Sequence, residues 1–337
     1  MQNLVDPAIL FFVLGALAGV LKSNLEIPPQ ISRFLSLYLL MALGLKGGFA
    51  LAHSGFTSQV LSSLACAVLL AIAIPAAGYL LLKRQVSGFD AAAIAATYGS
   101  VSAVTFITAT QYLETHNLAY GGHMAAAMAL MESPAIVMAV LFANALRKQA
   151  SPISAAIAPS LENPASGSVE PSGSSSVLKI LHESLTDGAQ ILLLGSMVVG
   201  FVTGDAGKVA MKPFSGDLFK GMLAFFLLDM GLMAAKNALQ AKGTSLWVIS
   251  YAAFGPVVHA SVALAVSRLA GLSQGDGALL MILAASASYI AVPAALRFAI
   301  PEARPALYFG MSLGVTFPLN ILVGIPVYVY AARLALR

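Results

Sequence analysis

Apolar runs long enough to cross a bilayer recur along this chain of 337 residues, and they constrain its fold more than any short motif does. A helix needs about 20 largely apolar residues to span the hydrocarbon core. The stretches near 31–51, 57–82 and 305–334 each supply that many. No water is present there to satisfy backbone N–H and C=O groups, so a spanning segment must be a helix or part of a closed barrel. Barrel strands are about half this length and alternate in polarity, which these runs do not. With 9% of residues charged and 59% hydrophobic, the chain reads as an all-α integral membrane protein rather than two soluble domains.

Ten spans are expected, near 6–22, 31–51, 57–82, 89–113, 122–146, 178–203, 214–236, 244–269, 277–299 and 305–334. The first has no basic residue ahead of its apolar run, and Lys22 follows it, so it reads as a membrane helix and not as a signal peptide. Between spans five and six, residues 148–176 are rich in Ser, Pro, Ala and Gly and cannot build a packed core. The predicted organisation is a first five-helix repeat over 1–147, a flexible linker over 148–176, and a second five-helix repeat over 177–337.

The halves share an order of features. With Asp90 and Asp276 set as equivalent starts, Ser100 and Ser102 fall at the offsets of Ser286 and Ser288. "MALGLKGGFAL" (41–51) parallels "LLDMGLMAAKNAL" (227–239), Pro75 parallels Pro256, and Pro134 parallels Pro318. Five spans is an odd number, so the second half crosses in the opposite sense, which makes an inverted-topology repeat of the kind found in transporters. The distribution of the 18 lysines and arginines places both termini outside and the linker in the cytoplasm.

Spans four and nine soften at matching places, and paired discontinuous helices are the best sequence pointer to a transporter's site. In "YGSVSAVTF" (98–106) the helix is predicted to loosen over Gly99 to Ala103 and restart near Val104 or Thr105. In "ASASYIAVP" (285–293) it loosens over Ser286 to Val292 and restarts at Pro293. Each restart offers free N–H groups and a positive dipole end to an anion, while freed carbonyls and hydroxyls suit a sodium ion. Close helix packing through small residues is the competing reading.

Ionisable residues inside spans are few: Lys46, Glu132, Asp229 and His259. Glu132, two residues before Pro134, is a candidate cation ligand or proton carrier. Lys46 and Asp229 flank the equivalent Gly44 and Gly231 and are expected to pair; His259 is expected to bond a carbonyl freed by Pro256. The lone Cys66 excludes an intrachain disulfide and a cysteine zinc site, and no catalytic, nucleotide-binding or nucleic-acid-binding motif is present. The chain is therefore expected not to be an enzyme, and to need no cofactor beyond sodium as coupling ion.

With these residues assembled, the chain resembles the sodium-dependent bicarbonate transporter family through "GLKGG", "GSVSAVT", "MESPAIVMAVLFAN", "LLLGSMVVG", "GPVVHA" and "ASASYIAVPAALRFAIPEARPALYFGMSLG", in order along nearly all spans. The resemblance implies ten transmembrane helices in two inverted repeats, with helices four and nine broken. It implies a gate of helices 1, 2, 6 and 7, a core of helices 3, 4, 5, 8, 9 and 10, an elevator-like motion, a homotrimer, and a small PII-like cytoplasmic regulator. Bicarbonate would lie among Gly99, Ser100, Val101, Ser102 and Ala103 of the first break and Ser288, Tyr289 and Ile290 of the second. Sodium would take Ser102, Thr105, Ser286, Ser288 and Glu132, the last standing where the family commonly has aspartate. Where the family reads Ser-Ser-Ser-Asp, this chain has Ser286, Ala287, Ser288 and Tyr289; Ala103 and Val104 replace a Gly-Ser.

The leading expectation is a multi-pass protein of the inner (plasma) membrane that carries bicarbonate with sodium. The alternatives are a sodium-independent or proton-coupled carrier of another small anion, and a membrane anion sensor that transports nothing.

Overall fold

The computed structural model describes residues 6–55, 57–155, 188–240 and 245–337, and every regular element among them is helical. In chain order these are α1 (Pro7–Val20), α2 (Pro29–Ser54), α3 (Ser58–Leu82), α4 (Gly88–Gly99), α5 (Ala103–Thr115) and α6 (Met124–Ala155). There follow α7 (Gly188–Ala210), α8 (Phe219–Gln240), α9 (Leu246–Leu269), α10 (Gln274–Ala285), α11 (Ala291–Ala299) and α12 (Pro305–Ala335). Among the described residues, eight segments are long and apolar enough to cross a membrane, α4 and α5 counting together as Gly88–Thr115; α1 and α10 are shorter apolar helices.

Helix starts follow local chemistry. Asp6 accepts the Ala8 N–H at 2.8 Å just ahead of Pro7, and Thr57 caps α3 in the same manner. Ser87 and Ser273 cap α4 and α10, bonding the backbone N–H groups of Asp90 and Asp276. α12 contains two π-helical turns, Ser312–Thr316 and Asn320–Gly324, on either side of Pro318. Wide turns of this kind redirect side chains and carbonyls that a regular helix would hold elsewhere.

Two helix pairs pack with backbones nearly touching. α1 lies on α8, where a Cβ on Gly231 would fall 2.1 Å from the Phe12 carbonyl oxygen. α2 lies on α7, where a Cβ on Gly48 would fall 2.1 Å from that of Met197. Small residues permit such approaches, and van der Waals contact between the helices holds them in a membrane. α3, α4 and α6 pack as one group, while α9, α10 and α12 pack as another, so that α4 and α10 become the most enclosed helices.

Within spans four and nine the helices restart at Ala103 and Ala291, earlier than the expected Val104 or Thr105 and Pro293, and the boundaries also differ around the linker. α6 continues to Ala155, into the stretch expected to be linker; Lys148, Gln149 and Ala150 are good helix formers, and Pro152 follows them. The remainder of 148–176 lies outside the described residues, as does the beginning of span six; α7 is described from Gly188 and runs on to Ala210.

Candidate functional site

α4 ends at Gly99, Ser100 is extended (φ −97°, ψ 178°), and α5 starts at Ala103 behind an extended Ser102 (φ −109°, ψ 112°). The Ser102 hydroxyl oxygen accepts the Thr105 N–H at 3.2 Å and the Thr105 hydroxyl at 3.0 Å, which fixes the first turn of α5. Gly99 serves close approach rather than flexibility: a Cβ there would lie 2.5 Å from the ring of Pro75 in α3.

The second interruption lies opposite. α10 ends at Ala285, Ser286 is extended (φ −79°, ψ 166°), and α11 begins at Ala291 with Pro293 in its first turn. The Ser288 hydroxyl oxygen accepts the Val292 N–H at 3.3 Å. The carbonyl of Ala285, the buried last residue of α10, accepts from the Asn320 amide at 2.8 Å.

Two hydrogen bonds join the interruptions directly. The Ser102 N–H donates to the Ser286 hydroxyl oxygen at 3.0 Å, and the Ser288 N–H donates to the Thr97 carbonyl at 2.8 Å. Each chain break thus supplies the partner that the other's backbone lacks, as burial in an apolar surround demands. Gly99, Ser100, Val101, Ser102, Thr105, Ser286, Ser288 and Tyr289 are all buried around this junction, Ala103 is half-buried, and Ile290 points outward at 53% exposure.

Tyr289 is the unusual member. Its ring packs edge-on against Phe317, centroids 5.1 Å apart, and its hydroxyl is turned toward Ser102. That hydroxyl is buried and, among the described residues, has no polar partner beyond this approach to Ser102. Glu132 reaches the junction through its backbone, its carbonyl accepting from the Ser100 hydroxyl at 3.4 Å. Its carboxylate accepts from the Gln190 amide of α7 at 2.8 Å.

Two expected partnerships are corrected. Lys46 pairs not with Asp229 but with Glu114, at 3.0 and 3.1 Å, its ammonium also lying 4.2 Å from the centroid of the Phe219 ring. The physical reason is helix placement: α2 and α8 each turn their small residues toward α7 and α1, and the long lysine stem reaches a cavity where Glu114 is half-exposed. Asp229 instead has Ser32 and Lys236 as neighbours and keeps one carboxylate oxygen buried without a hydrogen bond. His259 faces the backbone of Ala284 in α10 rather than a carbonyl freed within its own helix.

Several residues of the junction escaped the sequence reading. The Thr316 hydroxyl donates to the Ala252 carbonyl at 2.7 Å and lies 2.6 Å from the Tyr98 hydroxyl, while Asn320 and Gln190 supply the amides described above. Their signal was an isolated amide or hydroxyl within an apolar run, visible in "TFPLN" and "GAQILLL". Among the described residues no cluster of three or more His, Cys, Asp or Glu side chains exists. The oxygen donors present are hydroxyls and carbonyls, which suit a weakly bound monovalent cation better than a transition metal. A cavity of about 710 Å³ borders the region, lined by Lys46, Glu114 and Lys208 and reaching Phe106, next to Thr105.

No curated protein matches the chain at a significant level. A family model does: residues 7–333 match that of the Na+-dependent bicarbonate transporter superfamily.

Proposed function

Because the chain belongs to the Na+-dependent bicarbonate transporter superfamily, we propose that it is a secondary carrier moving bicarbonate together with sodium, with both held at the junction of the two helix interruptions. The observation that carries this reading is the reciprocal bonding of the interruptions, Ser102 N–H to the Ser286 hydroxyl and Ser288 N–H to the Thr97 carbonyl. Groups that pair with each other across a junction can exchange that pairing for a ligand's. An anion oxygen would take over the Ser102 N–H, aided by the positive end of α5. The hydroxyl oxygens of Ser102, Thr105, Ser286 and Ser288, with Glu132 behind them, would meet the cation.

Ten membrane helices in two inverted repeats fit this role, and the caps support the repeat: Ser87 with Asp90 and Ser273 with Asp276 are the same device at one sequence offset. The α1–α8 and α2–α7 pairs would form the gate, and the enclosed α4 and α10 would belong to a core that moves past it as an elevator. Termini outside, a cytoplasmic linker, a homotrimer and a PII-like regulator complete the reading.

One sodium carried with one bicarbonate moves no net charge; a second sodium would add about 2.3 kcal/mol per 100 mV of membrane potential. Purified protein in liposomes is expected to take up labelled bicarbonate faster with an inward sodium gradient than with potassium in its place. Equal uptake in both would refute the coupling.

A second reading has its own observation. Tyr289 occupies the place where a carboxylate would be the strongest cation ligand, and its buried phenol has, among the described residues, no polar partner beyond its approach to Ser102. An anion carrier independent of sodium, or coupled to protons through Glu132, accommodates that phenol as a donor to the anion. Tyr289→Phe would then raise the half-saturating bicarbonate concentration while leaving any sodium dependence unchanged, and Glu132→Gln would shift the pH optimum.

A further inference from the structure

We propose that the cavity beside α2 is an anion station whose occupant takes Lys46 away from Glu114 and thereby releases α5 from α2. The inference rests on the carrier reading, and it concerns residues outside the junction itself.

The cavity has a volume of about 710 Å³, ample for a small hydrated anion, and Phe106 at its inner end follows directly on Thr105 of the junction. Lys46 enters from α2 and Glu114 from α5, and their two contacts of 3.0 and 3.1 Å tie these helices together. Each partner is held from behind. The Phe219 ring lies 4.2 Å from the Lys46 ammonium, and the Tyr120 hydroxyl donates to Glu114 at 3.0 Å. Yet the pair is open to water, its side chains 23% and 36% exposed, so an ion arriving in the cavity can reach it.

The surrounding charge selects the sign of that ion. Lys208 and Lys212 line the same cavity and form no salt bridge among the described residues, while Asp205 is the one further acid in the lining. With Lys46 and Glu114 cancelling, the remaining field is positive and draws in anions. A lysine ammonium has three donors and no fixed geometry, so it can turn from a carboxylate to the oxygens of a small oxyanion without rearranging the backbone. Phe219 holds the ammonium in place during that exchange. The arrival of an anion and the loosening of α5 from α2 are then one event.

A passive brace between the helices would behave differently, and the sign of two substitutions separates the cases. Removing either partner of a brace has the same effect. In an anion station Glu114 competes with the anion for Lys46, so Glu114→Gln should tighten bicarbonate binding and Lys46→Gln should weaken it. The measurements are bicarbonate-dependent thermal stabilisation of purified protein in detergent and half-saturating bicarbonate for uptake into liposomes. Glu114→Gln is expected to lower the half-saturating concentration about two- to five-fold and Lys46→Gln to raise it by at least as much. Lys46→Arg should keep the station and guards against misfolding of the glutamine variant. The Lys208→Gln, Lys212→Gln double variant should weaken binding at low ionic strength and converge with the parent at about 1 M salt, where screening is nearly complete. Shifts of Lys46→Gln and Glu114→Gln in one direction, or no shift in either, would overturn the proposal. Parent protein that is stabilised by bicarbonate but does not move it would refute the carrier reading while the opposite-sign test still decided the station.

Discussion

The two interruptions perform one task with unequal workmanship. In the first, three residues separate α4 from α5, and Ser102 closes the new helix with bonds from both the backbone and the side chain of Thr105. In the second, the chain stays irregular from Ser286 to Ile290, and α11 has only 9 residues with no side-chain cap at Ile290. The first break is braced by the Pro75 ring packed on Gly99, whereas the equivalent place in the second carries Ala285. Tyr289, whose buried hydroxyl approaches only Ser102 among the described polar groups, is in the second break. The difference teaches that the loosely held backbone at this junction is the stretch from Ser286 to Ile290, whereas the turn from Ser100 to Ser102 is fixed by its own cap.

The strongest way to break that comparison is Gly99→Ala. Its new methyl would meet three ring atoms of Pro75, a ring that has no rotamer to yield, and a cost of about 1–3 kcal/mol is expected for such overpacking. Melting in detergent should come several degrees lower and uptake should fall. Ala285→Gly, at the matching offset, removes a methyl from the last residue of its helix and should cost at most about 1 kcal/mol. Equal melting temperatures for the two variants would dissolve the claimed asymmetry. A smaller contrast is expected between the serines. Ser102→Ala loses a helix cap worth about 0.5–2 kcal/mol, while Ser288→Ala loses one longer bond to the Val292 N–H and should cost about 0.5 kcal/mol.

Which parts of this picture were legible in the sequence follows from the range of the interactions involved. Apolar length fixes where helices run, since the requirement to pair every backbone group in hydrocarbon is local to each segment. Small and hydroxylated residues within a run marked the softened places, so Ser100, Ser102, Ser286 and Ser288 were identified from spacing alone. The choice of partner was not legible. Lys46 meets Glu114 rather than Asp229 because of how α2 and α5 are laid side by side, and no pattern in α2 encodes that. Gly99 reads as flexibility until Pro75 is seen against it. Asn320 and Thr316 reach the junction from π-helical turns of α12, whose register ordinary helical periodicity does not predict. Nor did any pattern around Tyr289 signal that its hydroxyl would be enclosed with no described polar partner beyond Ser102.

The smallest expected effects concern the loops behind the two interruptions, and there pH separates the halves. The loop after α5 is fastened by Asp276, whose carboxylate accepts the Gly121 N–H at 2.6 Å, with the His123 ring 3.8 Å from its other oxygen. Burial pushes the His123 pKa below its usual 6.5 and outweighs the opposite pull of Asp276. The unfolded chain then binds the proton more readily than the folded one, so stability declines as pH falls through about 6.5, and His123→Gln should flatten that decline. The loop after α11 is fastened by Arg304 on Asp90 and by Arg147 on Glu302 at 2.8 Å. Hydrogen bonding from Arg147 holds the Glu302 carboxyl below its usual 4.5. Its contribution is present above that value and is lost only as pH falls through the lowered one, so the second loop should loosen at more acid pH than the first. Melting temperatures from pH 8 to 4 should therefore show a decline that His123→Gln removes and a shallow acid shoulder that Glu302→Gln removes. The shoulder is the weaker of the two because Arg147 and Glu302 are both 37% exposed, and screening by water leaves an open ion pair little to contribute.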